Sequence, residues 1–519
     1  MPADNSTPEQ TTAPVLAGEV VRSEPVLPLE PVRGRKHVRR IVVGGAVVAL
    51  CASVLTGCRL ASTVNRPSTP VVLNGSEVPS LAGTAANRVV AFRHNENGEG
   101  VRTWTQIPVQ VDQRKVVPFG SFPADNTVAG VPGTVYGSGS ATITALQYAD
   151  PNTWVGADTD PTLDGNDEIV FMASDAGGDL AADETSEPVG VLHSSGVAVH
   201  LNDPRGSNED GWVYLFASTG TLDPAAGKDY VNYQFNLTSG AYKTTYKRQL
   251  GPNPETSKVT TAAYEVGFTD RWIEQSWKVT ATGATGVDIL DGHKNQFGLS
   301  TCVRSNVTFA AGEGAFIANI DGPVRAIRSY VGANSGPLTQ RTHLMYRDRM
   351  EVVTNLRVHA IPGIMDFLDY SAAAQGMTYR SSTSPAGVTI DGNPDTISTA
   401  VPTWEAVNGP QGQVFTRNAF STDVSTLAAG SQWFYRDQTA PAETQCWGDG
   451  SFLGASGISV VASIPNTDPS LGTFATLTGR RTTEFSAPSA DPSTIAIVAA
   501  YWSAELATPL TRSIATYRP

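Results

Sequence analysis

The sequence predicts an all-β protein, mainly antiparallel strands in a β-sandwich architecture, with few short helices. Three observations predict it. Apolar runs are short and bounded by Gly, Pro, Asn or Asp; helical periodicity is confined to one good stretch; and Gly (49) and Pro (34) are abundant in a chain of 519 residues, as suits a loop-rich body. Strands are expected in the first half at 88–92, 105–111, 141–148, 168–172, 197–201 and 212–216. In the second half they are expected at 277–282, 303–309, 324–330, 350–359, 413–417, 457–464 and 474–478. The helical stretch is 362–376, where Ile364, Phe367 and Leu368 share a face and Gly376 ends the run. No fixed-period repeat stands out, which argues against a propeller or solenoid.

Acidic residues outnumber basic ones 49 to 36, for a formal charge of −13, so a nucleic-acid partner is not expected. Residues 1–40 form a tail rich in Pro, Glu and Thr, without apolar periodicity and expected to be disordered. Its end is basic: Arg33, Arg35, Lys36, His37, Arg39 and Arg40. Seventeen positions without a charge follow, Ile41 to Gly57. As a helix they would span about 26 Å, just short of the roughly 30 Å hydrocarbon core, so both a cleaved signal and a retained anchor fit. Basic residues before the run and an acidic body after it place that body outside the cytoplasm.

Leu55-Thr56-Gly57-Cys58 resembles the lipobox of bacterial lipoprotein precursors. The resemblance implies lipidation of Cys58 and attachment to the outer face of the cytoplasmic membrane. The long stretch upstream favours the alternative, a retained signal-anchor with Cys58 as a juxtamembrane thiol. Residues 59–86 read as a tether. Beyond it, 87–222 reads as an acidic β-domain and 223–519 as a larger β-sandwich domain, with a soft boundary near 220–228 and a second seam at 381–402. Cys302 and Cys446 remain once Cys51 and Cys58 are assigned to the N-terminal segment, and outside the cytoplasm they are expected to pair. The loop of about 145 residues would be worth roughly 5 kcal/mol.

Between Lys115 and Arg205 lie 89 residues with thirteen acidic side chains and no Lys or Arg. Within them Asp158, Asp160, Asp164, Asn166, Asp167 and Glu168 suggest a calcium loop, since close carboxylates repel unless screened and Ca²⁺ takes oxygen ligands from Asp/Asn/Gly turns. The spacing is not that of an EF-hand. With Asp160 first, Gly165 falls at the sixth place, but Thr162 holds the third and Phe171 the twelfth. A solvated acidic loop is the alternative.

The sequence lacks GxSxG, HExxH, GxxxxGK[ST] and GxGxxG, so serine-esterase, zincin, P-loop and Rossmann chemistry have no local support. What remains is a constellation of His, Tyr and Arg: Asp291-Gly292-His293-Lys294, then Arg325 and Arg328, then His343, Tyr346, Arg347 and His359. A His or Tyr base beside an Arg that neutralises a uronate would serve polysaccharide β-elimination, which makes His343, Tyr346, Arg325, Arg347 and His359 candidate catalytic residues. In β geometry Arg325 and Arg328 point to opposite faces, as do His343 and Tyr346. GPVRAIR followed by a His/Tyr/Arg strand resembles, faintly, the β-supersandwiches of carbohydrate-active enzymes, over about 80 residues. That resemblance implies a polysaccharide lyase or glycoside hydrolase. The competing expectation is a non-catalytic glycan-binding or envelope-scaffold protein. His193 and His200 could meet across a hairpin, and Trp272, Trp277, Trp404, Trp433 and Trp447 could stack on sugars or serve the core.

Overall fold

The computed structural model describes residues 61–118, 144–181, 183–206, 209–239, 255–270, 272–298, 302, 304–305, 315–331, 339–357, 363–441, 445–462 and 476–517. Residues 41–57, Cys58 and His359 therefore lie outside the described residues. Residues 58–519 form one compact unit. Among the described residues every ladder between named strands is antiparallel. The protein is an all-β sandwich, and no described helix is long and apolar enough to cross a membrane.

Alternation decides how the strands sit. Val197–Asn202 and Tyr264–Asp270 bury every second residue, as half-buried sheet faces do. Phe452–Val460 and Ala326–Val331 are buried throughout, being interior strands covered on both faces. A nine-stranded sheet runs from Ala315–Ile320 through Ala326–Val331, Gln340–Met345, Arg349–Arg357, Thr476–Ser486 and Gly412–Thr422 to three shorter strands between residues 378 and 409. A five-stranded sheet is built around Leu290–Phe297, Ile364–Tyr370, Phe452–Val460 and Ser431–Gln438, and a four-stranded sheet joins Val231–Gln234, Ser257–Thr261, Tyr264–Asp270 and Ile273–Val279. Their shared core contains Trp272, Trp277, Phe316, Tyr330, Leu368 and Phe485. Trp272 meets Tyr330 edge-on at 4.8 Å and Trp277 meets Phe485 at 5.2 Å, geometry that suits the aromatic quadrupole.

A second five-stranded sheet joins Val89–Glu96, Arg102–Ile107, Val197–Asn202 and Asp210–Ala217 with the C-terminal strand Thr511–Thr516. The last strand of the chain pairs with Val197–Asn202, and Arg512 grips Glu77 with two bonds of 2.8 Å. The segment 220–228 is fastened on the same side: Gln106 Nε2 donates to the Asp223 carbonyl at 2.6 Å and Val109 N to that of Pro224 at 3.1 Å.

The helix expected over 362–376 is a strand. Ile364–Tyr370 pairs with Leu290–Phe297 on one side and Phe452–Val460 on the other, leaving only a 3₁₀ turn, Ala372–Ala374, capped by Ser371. A short apolar run buried on both faces carries no reliable period. The main α-helix among the described residues is Ile495–Ala507, apolar on nearly every side and so silent to the same test.

Candidate functional site

The GPVR turn is held from across the fold. Gln110 Oε1 accepts from the backbone N–H groups of Val324 and Arg325 at 3.2 and 3.0 Å, while its Nε2 donates to Asp112 Oδ1 at 2.8 Å. Gly322 lies so close that a Cβ there would run into the Gln110 amide. Arg325, buried, thus enters a fixed cluster. Its Nε and Nη2 lie 2.9 and 2.7 Å from Asp112 Oδ2, Nη2 also contacts Glu168 Oε2, and Nη1 donates to Tyr346 Oη at 3.3 Å. Glu168 Oε2 accepts from Tyr148 Oη at 3.0 Å, and its Oε1 meets Arg114 Nη1 at 2.7 Å.

Tyr148, Glu168, Arg325 and Tyr346 line a cavity of about 340 Å³ whose other charged walls are Arg66, Arg349, Glu351, Glu505 and Arg512. Burial raises the Glu168 carboxyl, but Arg325 and Arg114 outweigh it and hold the group below its usual range. Asp112, fully enclosed, goes the other way: burial pushes it up despite Arg325. Burial also pushes the Tyr346 phenol up to about 12, and that of Tyr148 higher still. At neutral pH both phenols keep their protons: Tyr148 donates to Glu168 and Tyr346 accepts from Arg325, and neither is poised as a base.

His343 is absent from this cavity. Strand alternation turns it and Arg328, its cross-strand neighbour, into the space between sheets. There His343 Nε2 lies 3.1 Å from Glu274 Oε2, which also faces His293 Nδ1 at 3.4 Å; His293 Nε2 lies 3.0 Å from Asp366 Oδ1. Arg481 donates to Asp366 at 2.9 Å and Asn295 does so at 2.7 Å. Burial drives His343 down to about 4. Burial would raise Asp366, but His293 and Arg481 hold it well below its usual range. His293, Asp366 and Arg481 form the polar wall of a second cavity, of about 30 Å³.

Arg347 is placed elsewhere again. It binds the carbonyl of Pro67 at 2.6 Å and its neighbour Asp348 at 3.0 Å, and lines a third cavity of about 260 Å³ with Asp175, Lys228 and Tyr230. The five candidate catalytic residues therefore do not form one centre. Arg325 and Tyr346 meet, His343 and Arg347 lie apart from them, and His359 falls outside the described residues.

The acidic loop does not gather its oxygens either. Asp158 accepts from the N–H of Asp160 at 3.1 Å, Asp160 from that of Thr162 at 3.0 Å, and Asp164 from that of Asn166 at 2.8 Å. Asp167 accepts from the backbone of Arg114 and Asp164 at 2.8 and 3.0 Å, and Glu168 belongs to the Arg325 cluster. These are Asx turns, in which short acidic side chains satisfy local backbone donors. Among the described residues no group of three or more His, Cys, Asp or Glu side chains is placed to hold a metal ion.

Cys302 and Cys446 are joined by a disulfide, with Cα atoms 5.1 Å apart. Trp447 packs over Gly292, where any side chain would strike its ring, and lies 5.4 Å from Lys294 Nζ. Trp272, Trp277, Trp404 and Trp433 are core residues, and only Trp447 is half-exposed among the five proposed for stacking. His193 pairs with Glu187 at 2.8 Å, whereas His200 stacks on Trp212 at 4.1 Å; they do not form a ligand pair.

No family model matches the sequence, and no curated protein sequence does. Among solved structures, the chain is similar to a putative aldose 1-epimerase from Escherichia coli K12, at 10% identity and a TM-score of 0.25 over 49% of this chain and 100% of that one. The likeness is weak and partial, and carries no functional weight.

Sequence reasoning missed Gln110, Asp112, Tyr148, Glu274 and Asp366. One of them left a signal: Asp366 is an acidic residue set within the apolar run IMDFLDY, where a charge needs a buried partner. Asp112 and Tyr148 left none.

Proposed function

We propose that residues 58–519 bind a hydroxyl-rich ligand of the carbohydrate class in the 340 Å³ cavity. The observation that carries this reading is the wall itself, in which guanidinium, carboxylate and phenol groups are locked in place by one another around a space of ligand size. Sugar hydroxyls both donate and accept. Glu168 supplies fixed acceptor oxygens, Tyr346 accepts from Arg325 and keeps its own O–H to donate, and Tyr148, whose proton goes to Glu168, offers lone pairs, while Val72, Leu344 and Leu506 offer an apolar side to ring C–H groups. Because Arg325 is engaged by two carboxylates and both phenols are raised, the site favours binding over β-elimination, which needs an available base and a cation for the uronate.

The proposal includes export and attachment at the cell envelope through residues 41–58. The uncharged run behind a basic cluster supports it, and so does the Cys302–Cys446 disulfide, a bond suited to an oxidising compartment.

A second reading, acid–base catalysis, is favoured by the His293–Asp366 pair at the wall of the inter-sheet cavity. That cavity, at about 30 Å³, has room for about two waters, so a saccharide would need it to open.

The test is binding of the full chain to a panel of neutral and acidic glycans by calorimetry, with release of reducing ends and of unsaturated products measured alongside. The expected result is binding without turnover, weakened about tenfold by Tyr148→Phe or Glu168→Gln, the loss of one buried charge-assisted contact. Absence of binding across the panel, or binding indifferent to both substitutions, would reject this site.

A further inference from the structure

The C-terminal helix Ile495–Ala507 reads IAIVAAYWSAELA and has almost no polar face. Its inner side packs Ile495, Ala499 and Trp502 against Trp404, Ala406 and Phe415. Its outer side leaves Ile497 71%, Val498 44% and Tyr501 50% exposed, the tightest group of exposed large apolar side chains among the described residues. A helix that is apolar all round is normally covered all round, and contiguous exposed apolar groups mark contact surfaces.

The route of the chain says what covers this one. Arg66 is buried against the C-terminal end of the helix, its Nη1 donating to the carbonyls of Glu505 and Thr508 at 3.0 and 2.7 Å, while Asp203 holds its other edge. Only seven residues lie between Cys58 and Arg66, eight steps of the chain. Fully extended they reach about 27 Å, so a chain fastened to a bilayer at 41–58 cannot carry this helix end farther than that from the lipid. Charge is placed to match. Arg205, exposed, lies with its guanidinium 4.2 Å from the centre of the Tyr501 ring and donates to the Tyr501 carbonyl at 3.1 Å. A cation beside an aromatic at the edge of an apolar face is the arrangement of an interfacial helix.

We propose that Ile497, Val498 and Tyr501 rest on the surface of the bilayer to which residues 41–58 fasten the protein, with Arg205 among the lipid headgroups. The inference rests on the envelope attachment proposed above. Three side chains would bind lipid weakly by themselves, but the link 59–65 keeps them at high local concentration beside it; the rest of the expected tether 59–86 is folded into the body, with Leu73, Val78 and Leu81 in its core. Glu505 and Leu506 of the same helix line the 340 Å³ cavity, so the docked helix would set that cavity close to the membrane.

The experiment reconstitutes the full chain in phosphatidylglycerol–phosphatidylethanolamine vesicles that carry a photoactivatable lipid. Flotation reports attachment. Hydroxyl-radical footprinting compares Tyr501 with Leu192, whose exposure of 49% is nearly the same, each normalised to its rate in the denatured chain. We expect flotation, protection of Tyr501 about fivefold beyond that of Leu192 as the face leaves water, and lipid crosslinks within 495–507. Failure to float would reject the attachment itself. Flotation with equal labelling of the two residues would reject the docking alone. Protection without lipid crosslinks, or protection that vanishes at one chain per vesicle, would overturn it in favour of a protein cover, either residues 41–57 or a second copy.

Discussion

Replacing Glu484 by glutamine should stabilise the protein increasingly as pH rises. Glu484 stands opposite Arg349 on the neighbouring strand, and its Oε2 accepts from Trp502 Nε1 at 2.7 Å. Burial, then the Asp348 carboxylate, push its carboxyl up from 4.5 to about 7 against the help of Trp502 and Arg349. A carboxyl with a raised pKa in the folded state holds its proton more tightly there than in the unfolded chain. Its contribution to stability is therefore complete below about pH 4.5 and lost as pH climbs through about 7. At ~1.36 kcal/mol per pH unit, the loss comes to about 3 kcal/mol. Glu484→Gln keeps the shape and an acceptor for Trp502 but does not titrate. Urea unfolding of both proteins from about pH 4 to about pH 9 should show the variant gaining about 3 kcal/mol on the wild type up to pH 7, then no more. A difference that stays constant across that range would refute the account of this buried carboxyl.

Arg325→Met should cost about 3 to 5 kcal/mol, because it strands Asp112 beside Glu168 with no cation between them; a loss under about 1 kcal/mol, the scale of an exposed pair, would mean that water reaches the cluster. Converting both Cys302 and Cys446 to serine should lower stability by up to about 5 kcal/mol from the entropy of the long loop, read as a drop in urea midpoint with the slope watched for denatured-state change. Chelation with EDTA should leave the melting temperature unchanged, since the carboxylates of the 158–168 loop are satisfied by backbone N–H groups and arginines. A fall that Ca²⁺ reverses would restore a metal to the loop.

What could be read in the sequence was local. Glu168–Met172 is the strand expected end to end, because the Gly165-Asn166 turn before it and the Ala173 turn after it leave one interpretation. The opposite faces of Arg325 and Arg328, and of His343 and Tyr346, follow from the period of a strand. The partners do not. Asp112 and Glu168 lie 213 and 157 residues from Arg325, and nothing in the neighbourhood of any of the three announces the others. The strand Ile364–Tyr370 departs from its helical pattern for a related reason: its environment makes it extended. Helix Ile495–Ala507 was invisible because a segment wrapped in apolar residues has no stripe to detect.

The placement of Thr511–Thr516 at the edge of a sheet whose other strands all precede residue 218 has a consequence for how the molecule is made. The early sheet stays short of a strand until residues 511–516 have been made. A polypeptide emerging head first would wait, with the 197–202 rim bare, for its own tail, and such distant pairings are slow to form. That delay leaves the early sheet loosely held until its missing strand arrives. It also makes a truncation before Thr511 hazardous, because an uncovered rim of unpaired N–H and C=O groups invites another copy to fill it.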